Sequence, residues 1–443
     1  MTELKTDRSK KTRLPTPVYV LSGGIFVLGS TEFVVAGLLP ELAADLRVSL
    51  PEAGLLISAF AVAMVIGAPV LAVLTLRLPR KATLIGSLGL FVAGQVLGAV
   101  APDYPAMMIG RIVTAAATGA FWAVASVVAV GLAEATGPGR RARAMALLMG
   151  GLTAANVLGV PLGTVLGQHL GWRATFWVIG GAAVVAALAV WRVLPRERVG
   201  SGALSGGLPR GKAVGRVPSG VPGCAENVNS VTGERRLGDL GTPTRGRGGG
   251  LRAEVGAFRG GRLWVALATT AVFEAGVMGA FTYLAPVVTD VAGFGAGAVP
   301  MALTLYGVGS LAGIQLGGRF ADAYPWRTLF AGLAAVAGIL LAIAEAAGVG
   351  AVTLVAAFGM GVAVFVAATP LAARALALAG PAPTLASAVN VSAFNVGNTL
   401  GPWLGGLVIA AGWGFRAPAA LGAGLLAVAI ALGLVSRALD GRR

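Results

Sequence analysis

The sequence predicts an all-α integral membrane protein with twelve transmembrane helices in two pseudo-symmetric six-helix bundles. Three observations carry that expectation. The 443 residues are 56% hydrophobic and 12% charged, with a mean hydropathy of +0.83, which is too apolar for an ordinary soluble domain. Apolar runs of about 20 residues, enough to cross a hydrocarbon core near 30 Å, recur along the chain. Motifs placed after particular runs in the first half return after the equivalent runs in the second.

A basic tail, 1–17, carries Lys5, Arg8, Lys10, Lys11 and Arg13 ahead of the first apolar run, 18–39. That run is longer than the core of a signal peptide and lacks a convincing small-residue cleavage site, so it is expected to stay as the first span. The N-terminal bundle, 18–194, continues with spans at 52–76, 82–101, 106–133, 142–168 and 173–194. Ser49 to Glu52 reads S-x-x-E with Pro51 in the first turn, which starts the second span. Residues 195–261 shift to Gly, Pro, Ser and Arg without helical or strand period and read as a flexible cytoplasmic linker. The C-terminal bundle, 262–437, holds spans at 262–288, 298–319, 327–347, 350–373, 384–411 and 415–437, before a tail, 438–443.

The formal charge of +16 reports topology. Arg77, Arg80, Lys81, Arg140, Arg141, Arg143, Arg319, Arg327 and Arg374 fall on the side of the two tails and the linker, whereas Arg47, Arg173 and Arg416 fall opposite. Basic residues in short loops stay inside, so both termini of this multi-pass protein are expected in the cytoplasm. A basic face on a folded soluble domain, which nucleic-acid binding needs, is absent from this pattern. Cys224 and His169 are the sole cysteine and histidine, which argues against an intrachain disulfide, a zinc site or a membrane enzyme built on such groups. Gly206 to Lys212 matches G-x-x-x-x-G-K, but Ala213 stands where a phosphate loop needs Ser or Thr and no strand precedes it. No cofactor is expected.

The two halves repeat each other. The loop from Ala72 to Ala82 aligns with that from Gly318 to Thr328, pairing Leu76 with Asp322 and Lys81 with Arg327. Gly159 to Gly163, followed by Gly171-Trp172-Arg173, echoes Leu400 to Gly406, followed by Gly412-Trp413. With Gly29 to Ser49, Leu76 to Leu84, Gly110 to Ser126, Asn156 to Trp177 and Gly317 to Thr328, the chain resembles the major facilitator superfamily. Within it, the likeness is to twelve-span drug:proton antiporters, the bacterial chloramphenicol-resistance exporters and related sugar-efflux proteins above all. The resemblance implies alternating access, a proton gradient as the driving force, and a monomer in the bilayer whose partners are protons and a small, fairly hydrophobic drug; sugars or amino acids are the alternative cargo. The loop motif of that family carries an Asp where this chain has Leu76, and the linker is longer than usual.

Glu32 lies inside the first span, Arg111 inside the fourth and Glu274 inside the seventh. A charge at mid-membrane costs about 2.5 to 3.5 kcal/mol, so such groups usually work. In the fold resembled, these spans line a central cavity. The proton affinity of a carboxylate depends on burial and neighbouring charge, so Glu32 is the candidate proton carrier, the alternative being a helix-binding hydrogen bonder. Arg111 matches an Arg that the family uses in proton transfer; otherwise it bonds backbone carbonyls. Glu274 is placed nearer the cytoplasmic end of its helix, where it either works or is merely solvated. Phe33, Trp122, Asn156, Glu274, Phe281 and Tyr283 are candidate substrate contacts, with Asn390, Phe394 and Asn398 on one stripe of span eleven serving either substrate or helix packing. Candidate gating elements are Arg77, Arg80, Lys81, Asp322, Arg327 and the Gly159, Pro161, Gly163 motif, which the resemblance associates with export.

Overall fold

Prolines and capping side chains set the helix boundaries. The computed structural model describes residues 14–74, 78–136, 140–194, 261–378 and 383–440; Arg77, Leu76, Cys224 and the proposed linker lie outside the described residues. Helix α1, Thr16–Gly37, begins after Pro15 and stops before Pro40, which sits in the first turn of the short α2, Leu39–Leu46. Helix α3, Leu50–Leu74, opens on a capping box: the backbone N–H of Ser49 donates to Glu52 Oε2 at 2.8 Å, and the Glu52 N–H donates to Ser49 Oγ at 3.3 Å. Helix α4 is Arg80–Ala99, and α5, Tyr104–Glu134, is capped by Asp103, whose side chain accepts from the Ala106 N–H.

Span five is not one regular helix. It runs as α6, Arg141–Ala154, a π segment, Ala155–Gly159, and α7, Val160–Leu170. Pro161 explains the widened turn: it has no N–H for the helical ladder and its ring crowds the carbonyl four residues back. The Val160 N–H instead reaches the Ala155 carbonyl, one residue further than in an α-helix. Helix α8, Trp172–Val193, completes the first half.

The second half contains α9, Gly261–Thr282, the single turn α10, Leu284–Pro286, a π segment, Val287–Val291, then α11, Ala298–Ala323, α12, Pro325–Ala346, α13, Gly350–Leu378, α14, Pro383–Ala410, and α15, Ala417–Asp440. With the interrupted span five taken as one, eleven helices among the described residues are long and apolar enough to cross a membrane. Helix α14 has the length, 28 residues, but falls outside the eleven; Asn390, Asn395 and Asn398 dilute its apolar character.

The halves pack alike. Helix α1 lies against α6, α7 and α8 in the first, as α9 lies against α14 and α15 in the second; α3, α4 and α5 associate as α11, α12 and α13 do. Small residues permit this approach in lipid. Gly159 and Gly163 rest on Ser30 and Val34 of α1 and Gly167 on Leu38 just after it, and Gly401 and Gly405 rest on Ala275, Gly279 and Tyr283 at the equivalent seam. Between halves, α3 packs on α14, and α7 with its π segment packs on α11.

Candidate functional site

The halves enclose a cavity of about 520 Å³, a volume suited to a small-molecule guest. Helix α1 contributes Glu32 and Phe33, α5 Thr118 and Trp122, the first π segment Asn156, α9 Glu274, Met278 and Phe281, α11 Tyr306, and α14 Phe394, Asn395 and Asn398. Most other lining residues are aliphatic, Met or Phe. Two carboxylates, one from each half, therefore face a largely apolar and aromatic space. Phe33 meets Phe281 edge-on with centroids 6.1 Å apart, and Phe281 is tilted against Tyr306 at 4.7 Å, so these rings join α1, α9 and α11 across the halves.

Arg111 stands behind this wall. It is 1% exposed and does not border the cavity. Its Nη1 donates to the Thr31 carbonyl at 2.8 Å and its Nη2 to the Glu32 backbone carbonyl at 3.3 Å, while its guanidinium carbon lies 4.3 Å from the Phe60 ring centroid. Gln95 donates to Thr31 Oγ1 beside it. Arg111 thus grips the backbone of α1 at Glu32 and makes no ion pair with the Glu32 side chain among the described residues.

Three expected placements change. Glu274 is 8% exposed and borders the cavity; because α9 begins at Gly261, residue 274 is past its midpoint and not at a solvated end. Tyr283 does not line the cavity. It is fully buried where α9, α3 and α14 meet, its hydroxyl donating to the Pro402 carbonyl at 2.9 Å, with Gly54 and Gly406 against the ring end. Asn390 is also off the lining, which on α14 is the stripe Val391, Phe394, Asn395, Asn398. Steps of four residues advance about 40° per step beyond a full turn, so a 390–394–398 stripe winds off the face that a 3, 1, 3 spacing keeps. Asn395 and Tyr306 escaped the sequence reading. Asn395 follows from that spacing once Phe394 and Asn398 are fixed, whereas Tyr306 gives no signal in an apolar helix.

The gating candidates are dispersed. Gly159 sits in the π segment against Ser30, Pro161 follows it, and Gly163 lies on Val34. Lys81 donates to the Trp191 carbonyl at 2.5 Å and to the Leu194 carbonyl, closing the C-terminus of α8. Arg80, Asp322 and Arg327 are exposed, and the Arg327 guanidinium lies 5.5 Å from the Tyr324 ring centroid.

The halves touch at the end opposite the chain termini. Both cross-half bonds lie on that side: Gln168 Nε2, at the end of α7, donates to the Ala296 carbonyl at 2.9 Å, and deeper in, Ser58 Oγ of α3 donates to the Thr399 carbonyl of α14 at 2.8 Å. Gly307 packs on Asn156 and Val157 at the same seam. Outside the spans, burial pushes the Glu41 carboxyl of α2 up, partly offset by hydrogen bonds from its own backbone and from Gln168, whereas hydrogen bonds from Arg173 and Trp172 hold Asp45 below the usual carboxylate range.

A duplicated six-helix unit folded around a central cavity invites comparison with transporter families. The sequence model of the Major Facilitator Superfamily matches residues 21–384. The chain belongs to this superfamily. A chloramphenicol resistance protein of Streptomyces lividans is 35% identical, the match covering 95% of each chain. The inner membrane transport protein YdhP of Escherichia coli K12 is 33% identical, again over 95% of each. Among solved structures, a bacterial homologue of the human lysosomal transporter Spinster, captured inward-facing and unoccupied, is similar with a TM-score of 0.67 and 16% identity over 95% of each chain, which speaks to the fold. As a major facilitator the protein is a multi-pass membrane transporter of small molecules and not an enzyme.

Proposed function

We propose that this major facilitator expels a small, fairly hydrophobic drug of the chloramphenicol kind in exchange for protons, by alternating access in the bacterial inner membrane. The observation that carries the reading is the apolar, aromatic cavity between the halves with a carboxylate from each, and the Streptomyces lividans relative supports the cargo. Glu32 is the proton carrier: it borders the cavity while Arg111 pins its backbone, so its side chain alone is free to exchange a proton with whichever side the cavity faces. Basic residues gathered on the side of the termini support a cytoplasmic location for both, and the seam closed at the far end then corresponds to an inward-facing state. One charge moving through 100 mV provides about 2.3 kcal/mol, enough for a roughly fortyfold drug gradient.

The test is uptake of chloramphenicol into inverted vesicles under an imposed pH gradient. The wild type accumulates drug; Glu32→Gln binds it but does not accumulate it. Normal gradient-driven uptake by Glu32→Gln sinks the carrier assignment. The three asparagines bordering the cavity favour a second reading, export of sugars or amino acids, which the same vesicles distinguish when given those compounds.

A further inference from the structure

The polar groups bordering the cavity share one property, that none is cationic. Among the described residues they comprise Glu32, Glu274, three asparagines, three threonines, Trp122 and Tyr306, with no Lys, Arg or His. Each threonine hydroxyl gives its proton to its own helix: Thr118 to the Thr114 carbonyl at 2.8 Å, Thr153 to Met149 at 3.0 Å and Thr369 to Phe365 at 2.8 Å. What these threonines offer a guest is an oxygen lone pair.

Asn395 is more constrained. Its Nδ2 donates to the Val391 carbonyl at 3.0 Å, which settles which end of the amide is the oxygen. Among the described residues that oxygen has no hydrogen-bond partner, although the residue is only 6% exposed. Asn398, 7% exposed and on the same stripe, and Asn156, across the cavity, also hold enclosed side-chain oxygens without partners. Enclosed amide oxygens without donors are rare in folded proteins, and each calls for an explanation. Here three of them border one cavity. Glu274 adjoins the α14 pair, because Gly397, between Asn395 and Asn398, packs directly on its Cβ.

We propose that Asn395, with Asn398 and Glu274, is the polar end of the substrate site, and that it selects amphipathic compounds bearing neighbouring O–H or N–H donors while rejecting carboxylates. This rests on the transporter reading above and names its substrate chemistry. A guest's donors supply what the amide oxygens lack, reached by turning the terminal torsion of Asn, which is broad. Its apolar part lies against Phe33, Trp122 and Phe281. A carboxylate guest would have to leave water for a largely apolar space whose bordering side chains, among the described residues, include no Lys, Arg or His to pair with its charge.

The experiment measures binding to the purified protein in nanodiscs with two series of probes. One comprises chloramphenicol, its 1,3-di-O-methyl ether and the analogue with the primary alcohol oxidised to a carboxylate. The other comprises a nitrophenyl glucoside, its per-O-methyl ether and the corresponding glucuronide. Expected is a preference of roughly tenfold for the free-donor member over its ether, the loss of two modest hydrogen bonds, and no binding of the carboxylate at tenfold higher concentration. Asn395→Leu and Asn398→Leu should each bring the donor-to-ether ratio towards one, while Asn395→Ser, which keeps an oxygen and serves if the leucine form does not fold, retains part of it. Equal binding of donor and ether by the wild type overturns the proposal, as does a carboxylate that binds as well as its parent. So does an Asn395→Leu protein that weakens both members by one factor, the signature of a purely structural residue. If the drug series fails to bind while the glucoside series shows the pattern, the drug reading falls and this one stands; if neither series binds, this one falls.

Discussion

A guanidinium enclosed among helices must find acceptors, and Arg111 takes two carbonyls of α1 together with the face of Phe60. Lysine keeps the charge but lacks the planar fork, so Arg111→Lys gives up one carbonyl bond and the stacking, roughly 1.5 to 3 kcal/mol. The expected result is a lower thermal midpoint in nanodiscs and slower drug transport, because the segment carrying Glu32 is no longer held. An unchanged midpoint would show that the grip on α1 is dispensable. The two acids of α2 should respond to pH with opposite sign. Asp45 is stabilised as the anion by Arg173 and Trp172, so its contribution is full above the ordinary carboxylate range and disappears as pH falls below about 4. Burial disfavours the charged form of Glu41, a penalty that sets in as pH rises and vanishes in acid. Thermal unfolding near pH 7 should therefore find Asp45→Asn destabilised and Glu41→Gln stabilised, with both differences closing below about pH 4.

At the scale of elements, the seam between α1 and span five depends on glycine. A Cβ on Gly159 would fall on Ser30 Oγ, which itself donates to the Phe26 carbonyl at 2.7 Å. Gly159→Ala must push the π segment away from α1, a cost of about 1 to 3 kcal/mol, and Asn156 on that segment moves with it. Adding Ser30→Ala should recover part of the lost stability, since the hydroxyl is the first atom met. If the two losses simply sum in a double-mutant cycle, the contact is not where the energy goes. The π turn has the same origin: Pro161 cannot continue the ladder, and the extra residue it imposes places Asn156 on the cavity wall.

On the alternating-access mechanism proposed for this protein, its halves must part where they now touch. Ser58 on α3 faces the Thr399 carbonyl on α14, so cysteines at 58 and 399, joined by a short thiol cross-linker in a Cys224→Ser background, should hold that end shut. Binding from the open end should persist while turnover stops, and turnover should return with a cleavable linker after reduction. Undiminished transport with the link in place would exclude opening at this seam.

Much of this protein was determined by the sequence itself. Apolar run length against bilayer thickness dictates the membrane helices, since unpaired backbone groups cannot sit in hydrocarbon, and the repeated glycine and loop motifs already mark two like halves. A lone acid at Glu32 was legible for the same reason: a mid-membrane charge is too costly to be incidental. The tertiary structure decided which side of each helix faces the cavity. Helix rotation separates Asn395 from Asn390, a break in α9 carries Tyr283 into the seam, and Arg111 turns behind α1. On a helix polar on more than one face, periodicity cannot choose between a neighbour and a cavity; only the packing of α14 between α9 and α3 makes that choice.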